Sequence, residues 1–153
     1  MKTVFITGAS SGIGKETAKL FQKKGWNVVA TMRKPELEKE LNTYPNVRIL
    51  RCDVTEVESI HNAVEATIKE FGMIDVLINN AGYYTVGSLE ESSSEQIRRQ
   101  IDTNLLGLIE VTKAVIPYFR KQKSGIIINL SSIAGKLSIP LQSLYNTTKF
   151  AVE

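Results

Sequence analysis

Short apolar, β-rich runs alternate with amphipathic stretches along the whole chain. Thr3–Thr7 (TVFIT), Asn27–Met32 (NVVATM), Val47–Cys52 (VRILRC), Ile74–Ile78 (IDVLI) and Gly125–Leu130 (GIIINL) predict five strands. The first is short and apolar throughout, as a strand covered on both faces is. Between the first two strands, Ile13, Thr17, Leu20 and Phe21 fall on one helical face of a stretch that Gly25 stops. Pro35–Leu41 predicts a short helix, and Val57, Ile60, Val64, Ile68 and Phe71 form the stripe of the next, ended by Gly72. Ser92 and Glu95 fit a capping box that opens a long helix to about Gln122. A last helix begins near Ser143 and is still running at Glu153. Strand and helix in alternation predict a doubly wound, mostly parallel α/β sheet with helices on both faces. Its five strands are expected in the order 3-2-1-4-5. No repeat, low-complexity segment or linker interrupts 1–153, so a single domain is expected.

Composition narrows the picture. A chain of 153 residues, 42% hydrophobic and 23% charged, buries a real core and is not disordered. The net charge of +3 is too slight to suggest a nucleic-acid or membrane partner. Lys15, Lys19, Lys23 and Lys24 lie on the outer side of one helix, and Arg120, Lys121 and Lys123 close another, so both groups read as solvated faces. The lone Cys52 cannot form an internal disulfide and follows an apolar strand, which implies a buried, inert thiol and a reducing compartment. Met1–Thr7 is too short for a signal peptide and no apolar run reaches membrane-spanning length, so a cytoplasmic address is expected. His61 has no Cys or second His at ligand spacing, and no metal site is expected.

The chemistry begins after the first strand, where Thr7-Gly8-Ala9-Ser10-Ser11-Gly12-Ile13-Gly14 leads straight into a helix. Glycines permit a tight turn and the close approach of a pyrophosphate, and a helix N-terminus supplies free N–H groups and partial positive charge. The spacing is G-x-x-x-G-x-G rather than G-x-G-x-x-G. Gly8, Ser10, Ser11, Gly12, Ile13 and Gly14 are therefore expected to bind a dinucleotide phosphate. Asp53-Val54 and Asn79-Asn80-Ala81-Gly82 follow the third and fourth strands, where an open α/β sheet has its ligand crevice. Asp53, Val54, Asn80, Ala81 and Gly82 are candidates for the adenine and ribose. On residue type alone Asp53 serves equally as a helix N-cap and the Asn pair as a turn. Thr31-Met32-Arg33-Lys34 carries no acid, and Arg33 would pair with a 2′-phosphate. NADP is the expected cofactor and NAD the alternative.

Near the C-terminus, Tyr145-Asn146-Thr147-Thr148-Lys149 puts a Tyr and a Lys four apart on one helical face, with Ser132 thirteen residues before the Tyr. TGASSGIG, NNAG, Asn104, Ser132 and YNTTK, in this order, closely resemble the short-chain dehydrogenase/reductase family. The resemblance runs from Thr3 to the last residue. It implies a tetrad of Asn104, Ser132, Tyr145 and Lys149 that interconverts a carbonyl and a secondary alcohol. Tyr145 would pass the proton, Lys149 would bind the nicotinamide ribose and keep the phenol acidic, Ser132 would hold the substrate oxygen, and Asn104 would hold a water. A free phenol titrates near ~10, so work near neutrality needs a shift of about 3 units. An ammonium in a water-poor cleft is a source of that shift. Ser131 is the alternative to Ser132, and the family spacing decides for Ser132.

Family members continue beyond the position of Glu153 with at least one further strand and a substrate loop. The resemblance therefore implies a piece of a longer protein, with GIIINL left as an apolar sheet edge. A cofactor-binding module without turnover is the rival reading, and a scaffold role comes third. The helices at 95–122 and 145–153 resemble those through which family members pair, so a homo-oligomer is expected. Tyr83, Tyr84 and Val86, with Ile139, Pro140, Leu141 and Leu144, would make an apolar pocket for a lipophilic carbonyl or alcohol.

Overall fold

The computed structural model describes residues 1–153. Strands β1 (Thr3–Ile6), β2 (Asn27–Met32), β3 (Val47–Arg51), β4 (Val76–Asn79) and β5 (Ile126–Asn129) form one parallel sheet, ordered β3-β2-β1-β4-β5. Five α-helices accompany it: α1 (Gly12–Lys23), α2 (Val57–Phe71), α3 (Ser94–Ile101), α4 (Gly107–Gln122) and α5 (Ser143–Val152). β1 lies between β2 and β4, where the strand order reverses, and a doubly wound sheet has its ligand crevice at the carboxyl ends of the strands there.

Successive side chains of a strand point to opposite faces, and the central strands feed two cores. Val4, Ile6, Val28, Ala30, Met32, Val76 and Ile78 pack with Ala18 of α1 and with Leu41. Phe5, Val29 and Leu77 pack with Ile60, Ala63 and Val64 of α2 and Val111, Ala114 and Val115 of α4. Each fully buried Val, Leu, Ile or Phe among them contributes about 1.5–3 kcal/mol. Cys52 lies in the second core, where burial pushes its thiol up to about 11 and leaves it unreactive.

Four sequence expectations change. Ile13 and Leu20 of α1 stay exposed while Gly14 and Ala18 take the buried line, because small residues let the helix approach the strands closely. Pro35–Leu41 is not one helix but two 3₁₀ turns, Pro35–Leu37 and Leu41–Thr43, parted by the buried Glu38. The capping box is made by Ser93 and Gln96 rather than Ser92 and Glu95, and the helix that it opens is broken by a π turn at Asp102–Leu106. Lys15 and Lys19 are not a freely solvated face, since both turn onto Glu40 and Lys15 also onto Glu38.

Strand β5 differs from the rest. It pairs with β4 on one side only, and Ile126, Ile127 and Ile128 are 59%, 37% and 43% exposed.

Candidate active site

The glycine loop fills the crevice edge beside β1. Gly8 and Gly12 have φ of +66° and +55°, a region costly for a residue with a side chain. A Cβ on Gly8 would lie 2.7 Å from Ala81 Cα, and one on Gly14 would lie 2.5 Å from the Gly8 carbonyl oxygen and collide with the Asn80 amide. Glycine there is a packing requirement as well as a conformational one. Ser11 caps α1 without using its side chain, and the N–H groups of Gly12, Ile13 and Gly14 meet no acceptor in the chain. Ser10 and Ser11 are exposed beside them, and Ile13 is 68% exposed. Unspent donors at a helix N-terminus, under open space at Gly12, fit an anionic group.

The loop is braced from β4. Thr7 Oγ1 accepts the N–H groups of Asn80 and Ala81 at 3.0 Å each, and Asn80 Nδ2 donates to the Thr7 and Gly8 carbonyls at 2.9 Å. The Asn80 amide donors thus shape the glycine loop. Asn79 Nδ2 donates to Thr112 Oγ1 and Asn129 Oδ1, both at 2.9 Å, and locks β4 to β5 and α4. After β3, Asp53 Oδ1 accepts from the Thr55 N–H and hydroxyl, an Asx turn ahead of α2, whose N-cap is Glu56. Val54 is buried against Gly107, and Ala81 and Gly82 line the turn after β4. Arg33, just past β2, is exposed and has no ion pair, whereas Arg48 and Arg51 pair with Glu70 and Glu56.

The remaining candidates converge on α5. Asn104 sits in the π turn, 2% exposed, which explains an Asn at a poor helical position. Its Nδ2 donates to the Tyr83 carbonyl at 2.8 Å and to Thr148 Oγ1 at 3.2 Å, and its Oδ1 accepts the Tyr83 N–H at 3.0 Å. Gln100, one turn earlier and fully buried, donates to the same Tyr83 carbonyl at 3.0 Å and accepts from Thr85 Oγ1 at 2.5 Å. Two amides therefore clamp the segment that follows NNAG. Tyr84, in that segment, meets Tyr145 edge to face at 6.2 Å.

Lys149 is buried, and its Nζ donates to the Leu130 carbonyl at 2.6 Å while lying 5.9 Å from the centre of the Tyr145 ring. Burial pushes its pKa below the ordinary lysine value. Ser132 lies two residues past that carbonyl, and its Oγ accepts the Ala134 N–H at 3.2 Å as cap of a 3₁₀ turn, Ile133–Gly135. Ser131 Oγ is instead buried against Gly135. Asn104, Ser132, Tyr145 and Lys149 thus gather around the end of β5 and one face of α5.

The sequence profile described as short chain dehydrogenase matches residues 2–153. The chain belongs to this family. One relative, the 3-ketodihydrosphingosine reductase of Bacteroides thetaiotaomicron, is 47% identical over 98% of this chain and 54% of its own length. A short-chain dehydrogenase from Streptomyces avermitilis superposes with a TM-score of 0.94 at 34% identity, covering 99% of this chain and 58% of that one. ElxO with NADP bound superposes at 0.93 with 37% identity, covering 99% and 63%. The chain spans about half the length of the curated relatives that it matches. No helix is long and apolar enough to cross a membrane.

The sequence pattern gave no role to Gln100 or Glu38, and named Thr7 and Asn79 only within their motifs, without the contacts that they make. For Thr7 a signal existed, a hydroxyl closing an apolar strand directly before the glycine loop. Gln100 stands four residues before Asn104, the spacing of one helical face, and that pair of amides was the available hint. Asn79 and Glu38 act on groups distant in sequence and gave none.

Proposed function

We propose that this protein is an NADP(H)-preferring oxidoreductase that interconverts a carbonyl and a secondary alcohol, with Tyr145 as general acid and base. The observation that carries the reading is the buried ammonium of Lys149 beside the Tyr145 ring, on an α5 face that Asn104 reaches through Thr148. When bound, the nicotinamide supplies or accepts the hydride. Tyr145 gives the carbonyl oxygen its proton in reduction and takes it back in oxidation. Lys149 holds positive charge near the phenol. Ser132, at the end of β5, orients the reacting oxygen. Asn104 keeps the Tyr83 segment and Thr148 in place, so its own donors are committed within the protein.

The free N–H groups of Gly12, Ile13 and Gly14 would hold the pyrophosphate, with Gly8, Ser10 and Ser11 shaping the approach. Asp53, Val54, Asn80, Ala81 and Gly82 would frame the adenosine, and Arg33 would meet its 2′-phosphate. ElxO, a structural relative, carries NADP, which supports that choice. Tyr84, Val86 and Leu141 are exposed, and the Gly87 N–H to Leu141 carbonyl bond joins their two loops into one apolar rim, suited to a lipophilic ketone. The name of the Bacteroides relative agrees with such a substrate. The test is NADPH oxidation over a panel of carbonyls, with Tyr145→Phe alongside: reduction in the parent and its loss in the variant are expected. Equal rates in both would remove Tyr145 from the role.

A second reading, cofactor binding without turnover, is favoured by one observation. Lys149 Nζ rests on the Leu130 carbonyl. Tight NADP(H) binding with no carbonyl turned over would select it.

A further inference from the structure

Glu38 is a buried carboxylate for which the chemistry at Tyr145 has no use. Its side chain is 4% exposed, in the segment between β2 and β3. Oε1 accepts the N–H groups of Glu40 at 2.8 Å and Leu41 at 3.0 Å, and Lys15 Nζ donates to both oxygens at 3.0 and 3.1 Å. Burial works to raise its pKa, and these donors, the Leu41 N–H and Lys15 foremost, outweigh it and hold the carboxyl below its ordinary range. Lys15 directly follows Gly14 in the first turn of α1. It also meets Glu40 at 3.1 Å, and Lys19 closes on Glu40 at 2.6 Å.

The segment leaving β2 is therefore fastened at two places. At its start the Cys52 N–H donates to the Met32 carbonyl at 2.9 Å, and five residues after Arg33 comes the Glu38 anchor on α1. Apolar packing holds little between them, since Leu37 is 68% exposed. The same strand end touches the glycine loop, through the Ala9 N–H to the Thr31 carbonyl at 2.9 Å. Lys15 and Lys19 answer Glu38 and Glu40, so of the carboxylates in this segment only the exposed Glu36 is free to repel a phosphate, and Arg33 has no acidic partner.

We propose that Glu38 is a positioning residue for nucleotide selection. Fastened to Lys15, it fixes the turn that carries Arg33 beside the glycine loop, so preference for a 2′-phosphorylated dinucleotide depends on a carboxylate that does not touch the nucleotide. The inference rests on the NADP reading given above.

Calorimetric titration of the whole chain with NADP and with NAD tests it, using the parent, Glu38→Gln, Lys15→Met, Arg33→Ala and the double variant Arg33→Ala/Glu38→Gln. Glu38→Gln and Lys15→Met are each expected to reduce the preference for NADP about tenfold, the scale of one charged hydrogen bond, with NAD affinity unchanged. The double variant should lose no more preference than Arg33→Ala, since Glu38 acts through Arg33. Equal weakening of both nucleotides, or losses that add in the double variant, overturns the inference. Thermal melts accompany each titration, and Lys15→Met carries the test if Glu38→Gln does not fold. A parent without NADP preference refutes the Arg33 reading, and this inference falls with it. A preference that survives both single substitutions refutes the Glu38 inference alone.

Discussion

The two halves of the molecule are built on different principles. Up to Gly82, the site is a backbone device: β1 and β4 are wholly buried, and glycines, a helix terminus and the Thr7–Asn80 brace shape the crevice. Beyond Gly82 it is a side-chain device, in which two buried amides and a buried lysine hold a loop, a π turn and α5 together. β5, the strand on which this second half leans, is exposed along its length. The contrast teaches where tolerance lies. In the first half the added Cβ is the change least tolerated, whereas the second half fails when one side-chain donor is removed.

The largest expected effect sharpens this contrast at Tyr145. Tyr145→Phe should lower turnover by about 10²–10⁴-fold, the worth of a general acid, while calorimetry finds NADP(H) affinity unchanged. Loss of cofactor affinity in that variant would show that the halves are not separable. Gly14→Ala should do the reverse. Its Cβ meets the Gly8 carbonyl oxygen at 2.5 Å, so a loss of about 1–3 kcal/mol by denaturant melt and a collapse of cofactor binding are expected.

Asn104→Ala strands the Tyr83 N–H and removes the donor that reaches Thr148 Oγ1, and should cost about 1–3 kcal/mol, without weakening binding at the glycine loop. Were this variant as stable as the parent, the π turn would not be held by its side chain.

Lys149 supplies a pH test. Its folded pKa lies below the ordinary value of 10.5, so the unfolded chain binds that proton more tightly. The cost of the buried cation is complete below the folded pKa and fades as pH rises from there towards 10.5. Lys149→Met should therefore gain stability at neutral pH and, compared with the parent, lose the rise in the alkaline window. Parallel stability–pH curves for the two would contradict burial of a charged Lys149.

The smallest effect is expected at the edge. Ile127→Lys, on a strand exposed on both faces, should leave the free energy of unfolding within about 0.5 kcal/mol of the parent. It should also reduce self-association measured by sedimentation, since charge blunts an unpaired strand. A strong loss of stability there would mean that β5 belongs to the core after all.

Most of the fold was legible. The five strands follow from apolar runs alternating with amphipathic stretches, a signal local enough to survive without tertiary information, whereas their order was expected from the doubly wound fold and not from the runs themselves. The glycine loop was legible too, because a β-to-α turn with three glycines is a local event. The capping box was misplaced by one residue, a local slip, but three other misreadings share one cause. The Pro35–Leu41 helix, the uninterrupted helix through Asn104 and the solvated Lys15 and Lys19 all depended on partners distant in the chain. The local pattern carries no information on those partners, and the contacts they make decided the outcome.

By itself, then, the order of residues determined that a parallel sheet would form, that a phosphate-sized turn would follow β1, and that Tyr145 and Lys149 would share a helical face. Those features rest on periodicity and on the geometry of a few neighbouring residues. Only the tertiary structure decided that Asn80 would brace the glycine loop, that Asn104 and Gln100 would clamp Tyr83, and that Glu38 would be buried against Lys15. A buried polar group must find a partner or bear a cost of about 1–3 kcal/mol. Which partner it finds depends on what the packed elements bring within 3 Å, and no local pattern of hydrophobic and polar positions encodes that.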